Sequence, residues 1–495
     1  MRGPVERLRL RAGIDLPEPV AAHRHPLAAL TRLHARQLFT YRGDAVPGSW
    51  QSVAPVADLA TAVPSIYNAG LGARGTSYVI HLRPDVYWDT TPARRVTAQD
   101  VVRGLKRLCT PFYRSTALPY FLSTIRGMAD YRDGHPASLR TAADLAEHAN
   151  THDIAGVFAL DEQTLVVELD HPAVDVVDVL ALPCASPAPV EYDAFLPDSP
   201  QARAALRSTG PYRPVFDGGL RFEPNPAWTP ESDLARGQRA SVITVSPDEP
   251  TPHIDLTVEG EPTSTLLGVD YLVLNPRGPL SEHTARLAIA DAITRTAHTI
   301  IPPGNDGHQA TAPAQAGALP AALSLTLAHP DTPHATAVAV GIVADLVAVG
   351  LTIVSRPLSP AESHRAVTGQ AGDWDILLDS WFPDWGHDNA RAFLLPLCHS
   401  AHSPAGTGQR RVDELIDAAL AALDDPTRST SALRAAELHA LADAVIVPLA
   451  FRAPPAPSGQ VAALSALGGL PDLTARTPVA AGPVPSPRRI SEVSR

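Results

Sequence analysis

The stretch 78–108, reading YVIHLRPDVYWDTTPARRVTAQDVVRGLKRL, constrains the fold of this chain more than any other. Tyr78, Ile80 and Leu82 fall on one face of a strand, because side chains in a strand alternate with a period of two. Thr97 and Asp100 form the hydroxyl-x-x-acid pattern that opens helices. The hydroxyl takes a free N–H of the first turn, and the acid reaches back to the cap residue's own N–H. Behind them Val101, Val102, Leu105 and Leu108 repeat at helical spacing. The spacing therefore predicts a strand, a polar turn and a capped amphipathic helix.

Other segments give the same alternation of elements. A first strand is predicted over 6–12 and a helix over 25–41, with Leu27, Leu30, Leu33 and Leu38 on its apolar side. Residues 154–172 read as a strand hairpin turning at Asp161-Glu162. Leu272, Val273 and Leu274 form a short buried strand ending at Asn275, followed by a helix carrying Leu287, Ile289, Ala292 and Ile293. Residues 323–328, 337–349 and 351–354 read as strand, helix and strand, a βαβ unit. Two helices over 412–423 and 432–445 precede a strand over 447–451 that heads back towards the first lobe. An α/β fold is expected.

Composition narrows what such a fold is for. With 495 residues, 45% of them apolar, the chain has enough apolar side chains for two or three lobes. Its net charge is −12 and no basic patch accompanies it, so nucleic acid is excluded as a partner. Cys109, Cys184 and Cys398 are odd in number and widely spaced, which favours three buried thiols, although one bridge stays open. No run of 18 apolar residues suggests a membrane span. The opening MRGPVERLRLRAGIDLPEP lacks both the apolar core of a secretion signal and an early cysteine for lipidation.

Enzyme signatures are also missing. There is no HExxH, no GxSxG and no Walker lysine motif, so no catalytic residue and no cofactor is expected. Gly70, Gly72 and Gly75 spell GxGxxG, but a strand follows them instead of a helix, so they read as a turn. His399 and His402 have the i,i+3 spacing of paired metal ligands. Pro404 and Gly406 make that region a loop, and among 19 histidines a chance pair is the expectation, so no metal site is assigned.

Residues 78–108 resemble a signature of the family 5 solute-binding proteins, the receptors of peptide and nickel ABC importers. Asp89 is kept, while Thr90 stands where the family has Gly and the segment 92–97 is longer. Residues 271–301 resemble a second family block, with Arg286 kept and His283 in place of an aspartate. Residues 374–396 resemble a third. The resemblance spans about 6–470 and implies a periplasmic-binding-protein type II-like fold, two lobes around a ligand cleft with a hinge. It places the first lobe at 1–250 plus 452–475 with an inserted subdomain at about 55–190, the second at 251–451, and a disordered tail at 476–495. It further implies an extracytoplasmic receptor that binds a peptide or a related small solute by hinge closure, as a monomer, and presents it to ABC permease subunits. The signal-less N-terminus keeps a second reading open: a cytoplasmic protein reusing this fold as a carrier, sensor or enzyme for a small metabolite.

The third block carries the candidate site, DSWFPDWGHD over 379–388. In peptide-binding members the aspartate at this place pairs with the ligand's free amino terminus, and here that residue is Asp384. An ammonium leaving water needs such a charged partner. Trp381 and Trp385 offer flat, stiff walls for a ligand. The alternative is a surface turn in which Asp384 caps local backbone and the tryptophans belong to the core. Arg356, after the strand over 351–354, stands in the neighbourhood where dipeptide receptors hold the ligand carboxylate, a task suited to the arginine fork. The residues themselves favour a solvent-facing arginine.

Overall fold

The computed structural model describes residues 8–11, 14–24, 27–43, 45, 49–238, 240–247, 256–257, 267–309, 323–369, 373–387, 389–404, 409–422, 425–453, 458–459, 463–464 and 471–474. Two sheets organise it. The first has six strands in the order Ser458–Gly459, Leu256–Thr257, Leu8–Arg11, Ile243–Ser246, Leu220–Pro224 and Tyr212–Val215. Leu8–Arg11 is its centre, parallel to Ile243–Ser246 on one side and to Leu256–Thr257 on the other. The strand Leu256–Thr257 thus stays with the first sheet although it lies past position 250. Both ends of the chain feed this sheet. The expected tail at 476–495 lies outside the described residues.

The second sheet runs Thr352–Leu358, Ser324–Pro330, Ile376–Trp381, Gly268–Leu274 and Ile446–Arg452. Ser324–Pro330 and Thr352–Leu358 are parallel and joined by the helix Pro333–Ala348, the βαβ unit that the sequence predicts. Gly268–Leu274 is buried along its whole length and lies antiparallel to both neighbours. Its Leu272 and Leu274 share one core with Ile289, Ile342 and Leu346 of the covering helices.

The strand–turn–helix of 78–108 forms as predicted. Ser77–His81 pairs with Thr164–Glu168, which pairs with Val157–Asp161. Tyr78, Ile80 and Leu82 are buried. The helix Ala98–Leu108 opens on the Thr97/Asp100 capping box. Asp100 also accepts from Trp88 Nε1 at 3.1 Å and pairs with Arg94, so the cap ties the turn to the helix. Asp89 Oδ1 accepts from the Ser208 N–H at 2.7 Å, fastening the same turn to the edge of the first lobe.

The helix expected over 25–41 is only Ala28–His34; residues 25 and 26 lie outside the described set. After His34 the chain is extended and forms the short strand Phe39–Thr40 against Val56–Ala57. Long-range partners override the local helical pattern. The His34 carbonyl accepts from the N–H groups of Thr209 and Gly210, and the fully buried Arg36 reaches Asp58 at 2.7 Å and the Ser232 carbonyl at 2.8 Å. A helix through Arg36 would forfeit all of these bonds. The three cysteines are buried free thiols, and burial pushes the Cys184 thiol up to about 12, too high for thiolate chemistry at neutral pH.

Candidate functional site

The strand Ile376–Trp381 delivers the candidate segment to the junction of the lobes. Its register against Gly268–Leu274 sets Trp381 opposite Val269, and the helix Ala390–Cys398 starts nine residues later. The Trp381 indole N–H donates to the Ala392 carbonyl at 2.8 Å, closing the turn between strand and helix.

Asp384 lies within this turn with both oxygens engaged from the other lobe. His23 Nε2 is 2.7 Å from Oδ1, and Tyr120 Oη is 2.7 Å from Oδ2. A carboxylate only accepts, so His23 carries its proton on Nε2. His23 Nδ1 lies 2.6 Å from Thr116 Oγ1 and accepts from it when the ring is neutral. Tyr120 Oη is also 2.8 Å from the Ala392 carbonyl. Burial and then the Asp384 charge hold the Tyr120 phenol well above its usual range, so it remains a donor.

Trp385 has no exposure and packs edge-on against Tyr120 at 5.0 Å between ring centres. Beneath it Arg391, 1% exposed, pairs with the equally buried Asp175 at 3.0 Å and donates to Thr124 Oγ1 at 2.8 Å. Arg24 reaches over from the first lobe. Its guanidinium lies 4.1 Å above the Trp381 ring and contacts Asp379 and the Ser380 carbonyl.

Between the lobes is a cleft of about 490 Å3, counting space open to solvent. One wall comes from residues 114–122 and Arg132, the other from Tyr271, Val367, Thr368, Trp381, Leu397 and His402. Burial, then the nearby His399, lowers His402 to about 4, so its imidazole is neutral at pH 7.

Of the four residues singled out in the sequence, only Trp381 lines this cleft. Asp384 is behind the wall, linked to it through His23 and Thr116. Trp385 is sealed into the core. Arg356 is elsewhere: on the outer strand of the second sheet, opposite Ala328, with Glu362 at 3.4 Å. The His399 and His402 rings lie tilted with centres 5.1 Å apart, and His399 pairs with Asp417. Among the described residues no group of three His, Cys, Asp or Glu side chains converges as a metal would require. Sequence reasoning missed His23, Arg24, Tyr120 and Arg114. No motif surrounds them; the one local signal is the left-handed backbone of Arg24, at φ 60°, which sequence does not display.

Residues 55–251 match the family model described as bacterial extracellular solute-binding proteins, family 5 middle. No curated protein matches the chain. Among solved structures, the clavulanic acid biosynthesis oligopeptide binding protein 2 is similar at 20% identity and a TM-score of 0.67, over 94% of both chains. The Escherichia coli murein tripeptide binding protein MppA is similar at 18% identity and a TM-score of 0.70, over 91% of this chain and 93% of that one. Listeria monocytogenes OppA bound to peptide is similar at 17% identity and a TM-score of 0.68, over 90% and 93%. Residues 55–251 thus match family 5 solute-binding proteins in sequence, and the chain as a whole shares the fold of such binding proteins.

Proposed function

We propose that this protein is the solute-binding receptor of an ABC importer, working outside the cytoplasmic membrane and binding a peptide or a peptide-like solute between its lobes. The observation that carries this reading is the cleft itself, walled by both lobes, in a chain whose residues 55–251 match extracellular solute-binding proteins. A ligand touching both walls binds the closed form better than the open one, so capture is closure, and closure is what a permease can recognise. No covalent change is needed.

Within this reading the side chains take distinct parts. Trp381 is the aromatic wall. Asp384 orients His23, and through it Thr116, on the opposite wall. Trp385 holds Tyr120 in place. Arg356 has no role in the cleft.

The test is titration of the purified protein with random tri- to pentapeptides. Small-angle scattering follows closure and native mass spectrometry follows the bound mass. A fall in radius of gyration together with release of unchanged peptide is the expected result. Peptide cleaved on release, or no peptide retained, would overturn it.

A further inference from the structure

The charges around the cleft are unequal. Among the described residues, no Asp or Glu lines it, whereas Arg114 and Arg132 do. Arg132 has a partner outside the wall, Asp133, at 2.6 Å. Arg114 has none of that kind. Its guanidinium donates to the Thr368 carbonyl at 3.0 Å, and among the described residues no carboxylate lies within ion-pair distance. It is partly buried, and burial followed by repulsion from Arg132 lowers its pKa. A cation losing hydration beside another cation is short of an anion. Around it stand neutral groups able to donate: the hydroxyl of Ser115 and the neutral imidazole of His402.

The acids of the neighbouring turn are already engaged by the protein's own cations and hydroxyls. His23 and Tyr120 hold Asp384. Arg24 and Tyr271 face Asp379, and Arg24 covers the Trp381 ring, where an ammonium would otherwise rest.

We propose that the cleft recognises its solute by a carboxylate held at Arg114, and that it needs no free amino group on that solute. This inference rests on the receptor reading and names the ligand class for the same cleft. Arg114 is placed to act on closure as well as on affinity. It projects from the first lobe and touches Thr368 at the end of the second-lobe helix Pro360–Val367, so an anion seated on its fork sits at the contact between lobes.

The experiment uses the full chain and four pools of the same random tri- to pentapeptides: free at both ends, N-acetylated, C-amidated, and blocked at both ends. A panel of non-peptidic mono-, di- and tricarboxylates is run alongside. Retention is read by native mass spectrometry and by the thermal unfolding midpoint. Both acid-ended pools should bind with less than a threefold difference, and amidation should weaken binding at least tenfold. Arg114→Gln should erase the preference for acid over amide, and Arg114→Lys should retain part of it; midpoints without ligand check that both variants fold. Pools that bind only with a free amino end, or that tolerate amidation, leave the receptor reading standing and overturn the Arg114 anchor. If no peptide binds but the carboxylate panel raises the midpoint of wild type and not of Arg114→Gln, the anchor stands and the peptide reading falls. If neither binds, both fall.

Discussion

Asp384 accepts hydrogen bonds on both oxygens from the opposite lobe, so its charge is part of the interior before it is part of any ligand site. Asp384→Asn puts an amide where His23 and Tyr120 both donate, and one of the two must turn away. The expected loss is about 1–3 kcal/mol of stability, the cost of a buried polar group left unmatched, read from urea midpoints. A peptide and its N-acetylated form should bind the variant in the same ratio as wild type. The Arg391–Asp175 pair carries more. Both groups are about 1% exposed, so Asp175→Ala strands a guanidinium in the core and should cost roughly 3–5 kcal/mol by chemical denaturation. A loss under 1 kcal/mol would show that Thr124 and the rings of Tyr120 and Trp385 suffice for Arg391. These residues also mark where sequence reading stops. The motif drew attention to 379–388, but the partners of Asp384 lie 361 and 264 positions away. No spacing rule encodes a partner at that distance, so an acid destined for an internal hydrogen bond looks the same in sequence as one destined for a ligand.

At the scale of elements, the legible parts are those whose cause is local. The helix Ala98–Leu108 follows from its capping box and apolar stripe, both written within a dozen residues. The helix Ala28–His34 stops early because Thr209, Gly210, Asp58 and Ser232 claim the backbone and side chains of 34–37, and those partners come from far along the chain. Packing at Gly104 belongs to the same hidden class. It is in mid-helix, where alanine would ordinarily be about 1 kcal/mol more favourable. A Cβ there would meet the Ser186 carbonyl oxygen at 2.3 Å, however, and that oxygen is backbone in a short helical turn that cannot swing aside. Gly104→Ala should therefore destabilise the protein by about 1–3 kcal/mol despite its better propensity. A higher thermal midpoint in the variant would mean that the turn at 183–186 yields.

For the molecule as a whole, acid acts first through buried imidazoles. Burial lowers His34 to about 3, and burial followed by neighbouring cations lowers His148 and His402 to about 4, from an ordinary 6.5. Below pH 6.5 each therefore binds fewer protons folded than unfolded. Their contribution is intact above that pH and drains away as the pH falls towards 4. Asp178, raised to about 6 by burial, takes up a proton more readily when folded and offsets part of the loss. The unfolding midpoint should fall between pH 6.5 and 4, and His34→Leu should flatten that fall; an unchanged slope would remove His34 as a cause. Closure depends on contacts that cross the same junction. His23 with Asp384, Arg391 with Asp175, and Arg24 with Asp379 and the Ser380 carbonyl all bind one lobe to the other. They stabilise the closed form relative to the open one, so less of the ligand's binding energy goes into closing. Arg24 is the one of these whose removal strands no buried charge, because its side chain keeps 23% exposure and Asp379 keeps 16%. Arg24→Ala should thus open the ligand-free protein with little loss of stability: a larger radius of gyration by small-angle scattering, and an apparent affinity reduced by the fraction of closed molecules lost. The saturated protein should regain the wild-type dimensions. Equal dimensions of variant and wild type without ligand would show that the remaining contacts across the junction hold the lobes without Arg24.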